Sequence, residues 1–129
     1  MAHFAELNAN NEVIRVIVVS NAVITDEFGS EHERLGQEFC YNLFGGNWIK
    51  TSYNNKFRKH FAQPGAIYFS EHDAFSKGPK PFPSWTLNTE TMEWDPPKPK
   101  PQFPCEWNEE KQKWIALIEV TGKFKELFT

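Results

Sequence analysis

Long apolar stretches are the first thing this sequence lacks: no run approaches the ~20 residues that cross a bilayer, and no basic-then-apolar leader opens the chain. The expectation is a protein made soluble inside a cell, neither secreted nor membrane-spanning. Cysteine is nearly as scarce. Cys40 and Cys105 stand in unrelated contexts with no Cys-x-x-Cys or Cys/His spacing near either, which predicts two unpaired thiols and no zinc site. Neither sign of charge is in strong excess. A formal net charge of −3 provides no general attraction to nucleic acid or to an anionic membrane, so neither is an expected partner. No recognisable motif sets a base and an orienting group beside a nucleophile, so no enzyme, no catalytic residue and no cofactor is expected.

Aromatic side chains are plentiful instead. Twelve Phe, five Trp and three Tyr in 129 residues suit small β-elements that must bury large side chains from few positions, and the length fits one domain with one modest core. Two stretches show the pattern most clearly. Trp85–Trp94 and Trp107–Trp114 each place aromatics on both sides of four or more polar residues, as β-hairpins with one apolar face do, and Pro96–Pro101 separates them. Trp85, Leu87, Met92 and Trp94 are expected on one face. The same arrangement occurs upstream, in Tyr68–Phe75 before the Pro79–Pro83 run and in Phe4–Val13 at the start.

Taken in order, Ala2–Leu7 leads through Asn8–Asn11, residues that tolerate turns, into the β-branched run Val13–Val19. Such a run predicts a strand buried on most of both faces and therefore central in its sheet. Ser30 followed by Glu33 forms a capping box, and Leu35, Phe39, Leu43 and Phe44 recur at helical spacing before Gly45-Gly46, which predicts one helix over about 31–44 packed on the sheet. Trp48–Tyr53, Asn54-Asn55 and Lys56–Phe61 predict a second hairpin. The end, Val120–Thr129, with Phe124, Leu127 and Phe128 among Lys and Glu, is either a last helical turn or an arm. The fold class expected is α+β and β-rich: antiparallel hairpins in series with one packed helix and Pro-rich spacers. Residues 1–62 form a hairpin/helix/hairpin body, 63–118 the serial aromatic hairpins within the same compact unit, and 119–129 a C-terminal arm.

MAHFAELN at 1–8, VIRVIVV at 13–19, FCYNLFGGNWIKTSYNNKFRK at 39–59, DAF at 73–75 and PFPSWTLN at 81–88 resemble a family of small, mostly uncharacterised proteins of marine tailed bacteriophages, including phages of cyanobacteria. The resemblance runs to about Trp114, with departures at Gln63–Ala66 and after Ile115. It implies a phage origin and a component of the virion, made in the host cytoplasm, and carries over no catalytic residue.

Several groups could carry an interaction. Lys50, Lys56, Arg58, Lys59 and His60, beside Tyr53 and Phe57, could meet phosphates or an acidic protein surface, or could simply guard a hairpin edge with charge. His32 and His72 neighbour carboxylates without the spacing of a metal site and read as surface histidines. The proline runs are either extended ligands for aromatic grooves or semi-rigid spacers between hairpins. The tryptophans form either a binding face or the core of their own hairpins. The residues singled out for partner binding are Trp85, Trp94, Trp107, Trp114, Lys56, Arg58, Lys59, Phe124 and Phe128. The leading expectation is a capsid decoration or cement protein that binds other virion proteins, major capsid or tail proteins, with homo-oligomers as a further option. The alternative is a tail- or fibre-associated module binding a receptor or glycan.

Overall fold

The computed structural model describes residues 1–120 and 123–126. It is strand-rich with antiparallel hairpins and two helices, a β-rich α+β fold. The opening hairpin pairs β1 (Ala2–Leu7) with β2 (Val13–Val19), and β3 (Asn47–Thr51) adds to the other side of β1. The order is therefore β2-β1-β3. Here the expectation for Val13–Val19 is corrected: β2 is an edge strand, and Ile14 and Val18 are about half exposed. The central strand is the shorter-chained AHFAEL, whose Ala2 and Ala5 leave room for covering elements on both faces. Glu6 pairs with Arg15 but Leu7 with Val13, so Ile14 is the extra residue of a bulge.

A short helix, α1 (Asn21–Ile24), leads to α2 (Glu33–Phe44), which crosses one sheet face. Its start differs from the capping-box expectation. His32 occupies the N-cap without a side-chain bond, while the Ser30 amide donates to Asp26 Oδ1. Its buried seam differs too. Phe39, Leu43 and Phe44 are substantially exposed, and the residues that face the sheet are Gly36 and Cys40. Gly36 is required by close approach: a Cβ built there would lie 2.1 Å from the Phe4 ring. With no side chain in the way, α2 settles directly on Phe4, and Phe4, Val19, Ile24, Cys40 and Trp48 close the first core cluster.

The opposite face, with Ala5, Leu7 and Val13, packs on Ala62, Ala66 and Phe75. The hairpin expected over 48–61 does not form. β3 ends at Thr51, and the segment after it turns repeatedly, with Asn55, Arg58 and Lys59 all at positive φ, so its backbone cannot run as a strand. β3 finds its partner in β1 instead.

Three hairpins follow: β4 (Tyr68–Phe69) with β5 (Ala74–Phe75), β6 (Thr86–Asn88) with β7 (Glu93–Asp95), and β8 (Cys105–Asn108) with β9 (Lys113–Val120). They repeat one design. Tyr68 opposes Phe75, Leu87 opposes Trp94 and Trp107 opposes Trp114, and the last turn residue, Asp73, Met92 or Gln112, takes positive φ each time. β9 also pairs with β10 (Lys123–Glu126), so the expected arm of 119–129 begins inside a strand pair and the helical-turn option is excluded. Leu127 and Phe128 lie outside the described residues.

Candidate interaction surface

The tryptophans turn inward. The Trp107 and Trp114 rings lie 5.3 Å apart across β8 and β9, with the Trp85 ring 6.2 and 6.1 Å from them, and Phe82 and Phe103 close the cluster. Each indole N–H of that pair has a local acceptor. Trp107 Nε1 donates to Glu109 Oε1 at 2.8 Å, and Trp114 Nε1 donates to the Lys98 carbonyl at 2.9 Å. Glu109 also receives the Ser84 hydroxyl and amide, and these donors, Ser84 before Trp107, hold its carboxyl below the usual carboxylate range. Trp107 and Trp114 are 8% and 6% exposed, so neither offers a stacking face to a glycan; this corrects the exposed-platform expectation for them. Trp85 and Trp94 are half-buried.

The proline runs take part in this packing. Trp94 Nε1 donates to the Gly78 carbonyl and Lys80 Nζ lies 5.9 Å above the Trp94 ring. Trp114 repeats the pair with the Lys98 carbonyl and with Lys100 Nζ, again at 5.9 Å. The Gly78 carbonyl accepts the Ser76 hydroxyl at 2.8 Å as well as the Trp94 indole, and each run is thereby tied to the hairpin that follows it.

The basic patch is divided. Arg58, at 17% side-chain exposure, donates from Nη1 to both Glu33 carboxylate oxygens (2.9 and 3.1 Å) and to the Lys50 carbonyl, and from Nε to Asp73 Oδ1 at 2.8 Å. Burial works against its charge, but the bonds to Asp73 and Glu33 outweigh it and raise its pKa. Tyr68 Oη donates to the same Asp73 oxygen at 2.6 Å; burial and then that bond push the phenol to about 12, while Tyr68 and Arg58 hold the Asp73 carboxyl low. Arg58 is thus committed inside the fold, while Lys56 and Lys59 remain exposed. His60 bonds the Thr91 carbonyl, and His32 bonds Asp26, whose carboxyl that contact lowers. Cys40 and Cys105 are both free and buried, and burial pushes the Cys40 thiol up. Phe124 lies in β10.

What faces outward includes residues that the pattern of the chain assigned to the core, Ile14, Val18, Phe39, Leu43 and Phe44. Nearly all the large, substantially exposed hydrophobic side chains among the described residues lie in 1–57, including Ile14, Val18, Phe28, Tyr41, Leu43, Phe44 and Tyr53; Leu117 is the exception. Phe28, at 85%, projects from the turn that Asp26 ties through its bonds to the Phe28 and Ser30 amides. The turn residues Asp26 and Gly29 are a sequence signal for that projection; the exposed flank of α2 had none, because Phe39 and Leu43 fit a buried stripe equally well.

No family model, curated protein or solved structure matches the chain. Among the described residues, no helix is long and apolar enough to cross a membrane and no cluster of His, Cys, Asp and Glu could hold a metal ion.

Proposed function

We propose that the chain is a virion structural accessory, a decoration or cement protein that binds a phage shell through the apolar surface of its first 57 residues. The observation that carries this reading is the distribution of exposed hydrophobic groups: Phe28, Tyr41, Leu43 and Phe44 are substantially exposed on the N-terminal body, while Trp107 and Trp114 are buried and Trp85 and Trp94 half-buried. Exposed apolar groups gathered on one part of a chain favour contact with another macromolecule there, since leaving them in water costs roughly 25 cal/mol per Å². The resemblance to proteins of marine tailed phages, which runs to about Trp114, supplies the setting. The later hairpins, clamped by their proline runs, then form a rigid extension of the bound body.

Copy number tests it. Quantitative mass spectrometry of purified particles should find on the order of hundreds of copies, following the shell's symmetry. A few tens at most would favour a tail or fibre module, and absence from particles would overturn a virion role altogether.

A further inference from the structure

The two edges of the N-terminal sheet are treated differently by the sequence. On β3, side chains take both outward groups of Lys50 and the outward carbonyl of Trp48: Gln37 Nε2 donates to the Trp48 carbonyl, Glu33 Oε2 accepts from the Lys50 amide and Arg58 Nη1 donates to the Lys50 carbonyl. Those three residues stand where a neighbouring strand would, and close that edge. On β2 only Val13 is covered, its amide bonded to the Ala66 carbonyl and its carbonyl to the Gly65 amide.

The hydrogen-bonding direction of the rest of β2 follows from alternation. Lys50 points its N–H and C=O away from β1, so its partner Phe4 points toward β2, and Ile17, opposite Phe4, points back toward β1. Val16 and Val18 therefore present their N–H and C=O groups outward, and no described group bonds to them. Their side chains lie on the sheet face of Ala5, where Val16 packs against the second core cluster; Val18 is 51% exposed, and Ile14, at the bulge, is 50% exposed. An edge with open backbone groups and apolar side chains is a template for another strand.

We propose that this edge pairs antiparallel with β2 of a second copy of the chain, about a two-fold axis at Ile17. That register is self-complementary. Val16 of each copy meets Val18 of the other, so the four outward amides and carbonyls of the two copies satisfy one another in two hydrogen-bonded pairs. Val–Val contacts form on one face and an Ile17–Ile17 contact on the other. The one charge in the run is also accommodated: Arg15 falls opposite Val19 of the other copy, which sets the two guanidinium groups apart along the strands, and each is already held by its own Glu6 at 2.7 Å. The β2-β1-β3 sheet thereby continues into six strands. The contact is smaller than the ~1,600 Å² of a standard interface, so the dimer is weak, with a dissociation constant of roughly micromolar or above.

Sedimentation equilibrium of the full chain over a concentration series tests this, with two variants. Val18→Pro removes an outward N–H that bonds nothing in the monomer, and Val18→Lys sets a charge on the edge without touching the backbone. The wild type should move from monomer to dimer with concentration, and both variants should stay monomeric; should Val18→Pro fail to fold, Val18→Lys decides alone. Ile17→Cys should then give a disulfide-linked homodimer under mild oxidation, since the two residues face each other as a non-hydrogen-bonded pair. A wild type monomeric up to roughly 1 mM, or a dimer indifferent to Val18→Lys, overturns the proposal. Virion binding is a separate matter: a chain that dimerises as described but is missing from particles contradicts only the accessory role.

Discussion

Arg58 reaches back to Glu33 at the start of α2, donating from Nη1 at 2.9 and 3.1 Å, and the pair between them takes both outward backbone groups of Lys50. One ion pair thus ties the helix start, the β3 edge and, through Asp73, the β4–β5 turn. Arg58→Ala should destabilise the fold by about 2 kcal/mol, since it removes the counter-charge of a partly buried carboxylate and leaves the Lys50 carbonyl unpaired. Arg58→Lys should recover little, because an ammonium cannot reproduce the fork. Thermal melts of both variants check this; melting temperatures equal to wild type would show the network to be dispensable.

The close contact of Gly36 with Phe4 makes a second prediction. Gly36→Ala improves helix propensity yet places a methyl inside the Phe4 ring, so a net loss of roughly 1–3 kcal/mol or more is expected. Phe4→Leu introduced beside it should recover part of the loss. A Gly36→Ala protein more stable than wild type would mean that α2 does not lie directly on β1.

Titration gives a third. Tyr68 has its pKa raised to about 12, so its neutral form stabilises the fold fully below the ordinary tyrosine value of about 10, and that contribution is lost as pH rises toward 12. Asp73 is lowered, so its contribution is complete above the ordinary aspartate value of about 4 and is lost as pH falls through the lower folded-state value. Ultraviolet titration should show a late-ionising tyrosine that Tyr68→Phe abolishes and Asp73→Asn shifts downward. All tyrosines ionising together near 10 would contradict the Tyr68–Asp73 bond.

The inward tryptophans give a fourth. Trp114→Ala should cost about 3–5 kcal/mol, a core-sized effect, and Trp114→Phe less while still losing the bond to the Lys98 carbonyl. Denaturant unfolding monitored by circular dichroism distinguishes this from a surface role, for which Trp114→Ala would be nearly neutral.

The serial hairpins were legible in the sequence because Trp85–Trp94 and Trp107–Trp114 carry both aromatic flanks and polar turns within ten residues, so local pattern decides them. The position of β2 was not. A β-branched run such as VIRVIVV shows that a strand forms, but whether it is central depends on β3, 28 residues beyond its end, joining β1 and not β2. The seam of α2 was hidden for a related reason. Gly36 and Cys40 face the sheet because Phe4 fills the space from below, and a helical-period count weights Leu35, Phe39 and Leu43 above a glycine. Arg58 looked like part of a basic surface because its partners, Glu33 and Asp73, are remote in sequence. The exposed apolar flank of α2 became visible only when the glycine seam took the inner position.

On the proposed virion role, the exposed flank of α2, and not the tryptophan hairpins, meets the particle. Tyr41→Ser with Leu43→Ser takes away the flank's two most exposed hydrophobic side chains, 62% and 59% exposed, without altering buried ones, so stability should change little. The most direct measurement is occupancy of purified particles, by quantitative mass spectrometry, for this double variant beside Trp94→Phe. Several-fold lower occupancy for the double variant at an unchanged melting temperature, with wild-type occupancy for Trp94→Phe, is the predicted result; full occupancy for the double variant would contradict the account.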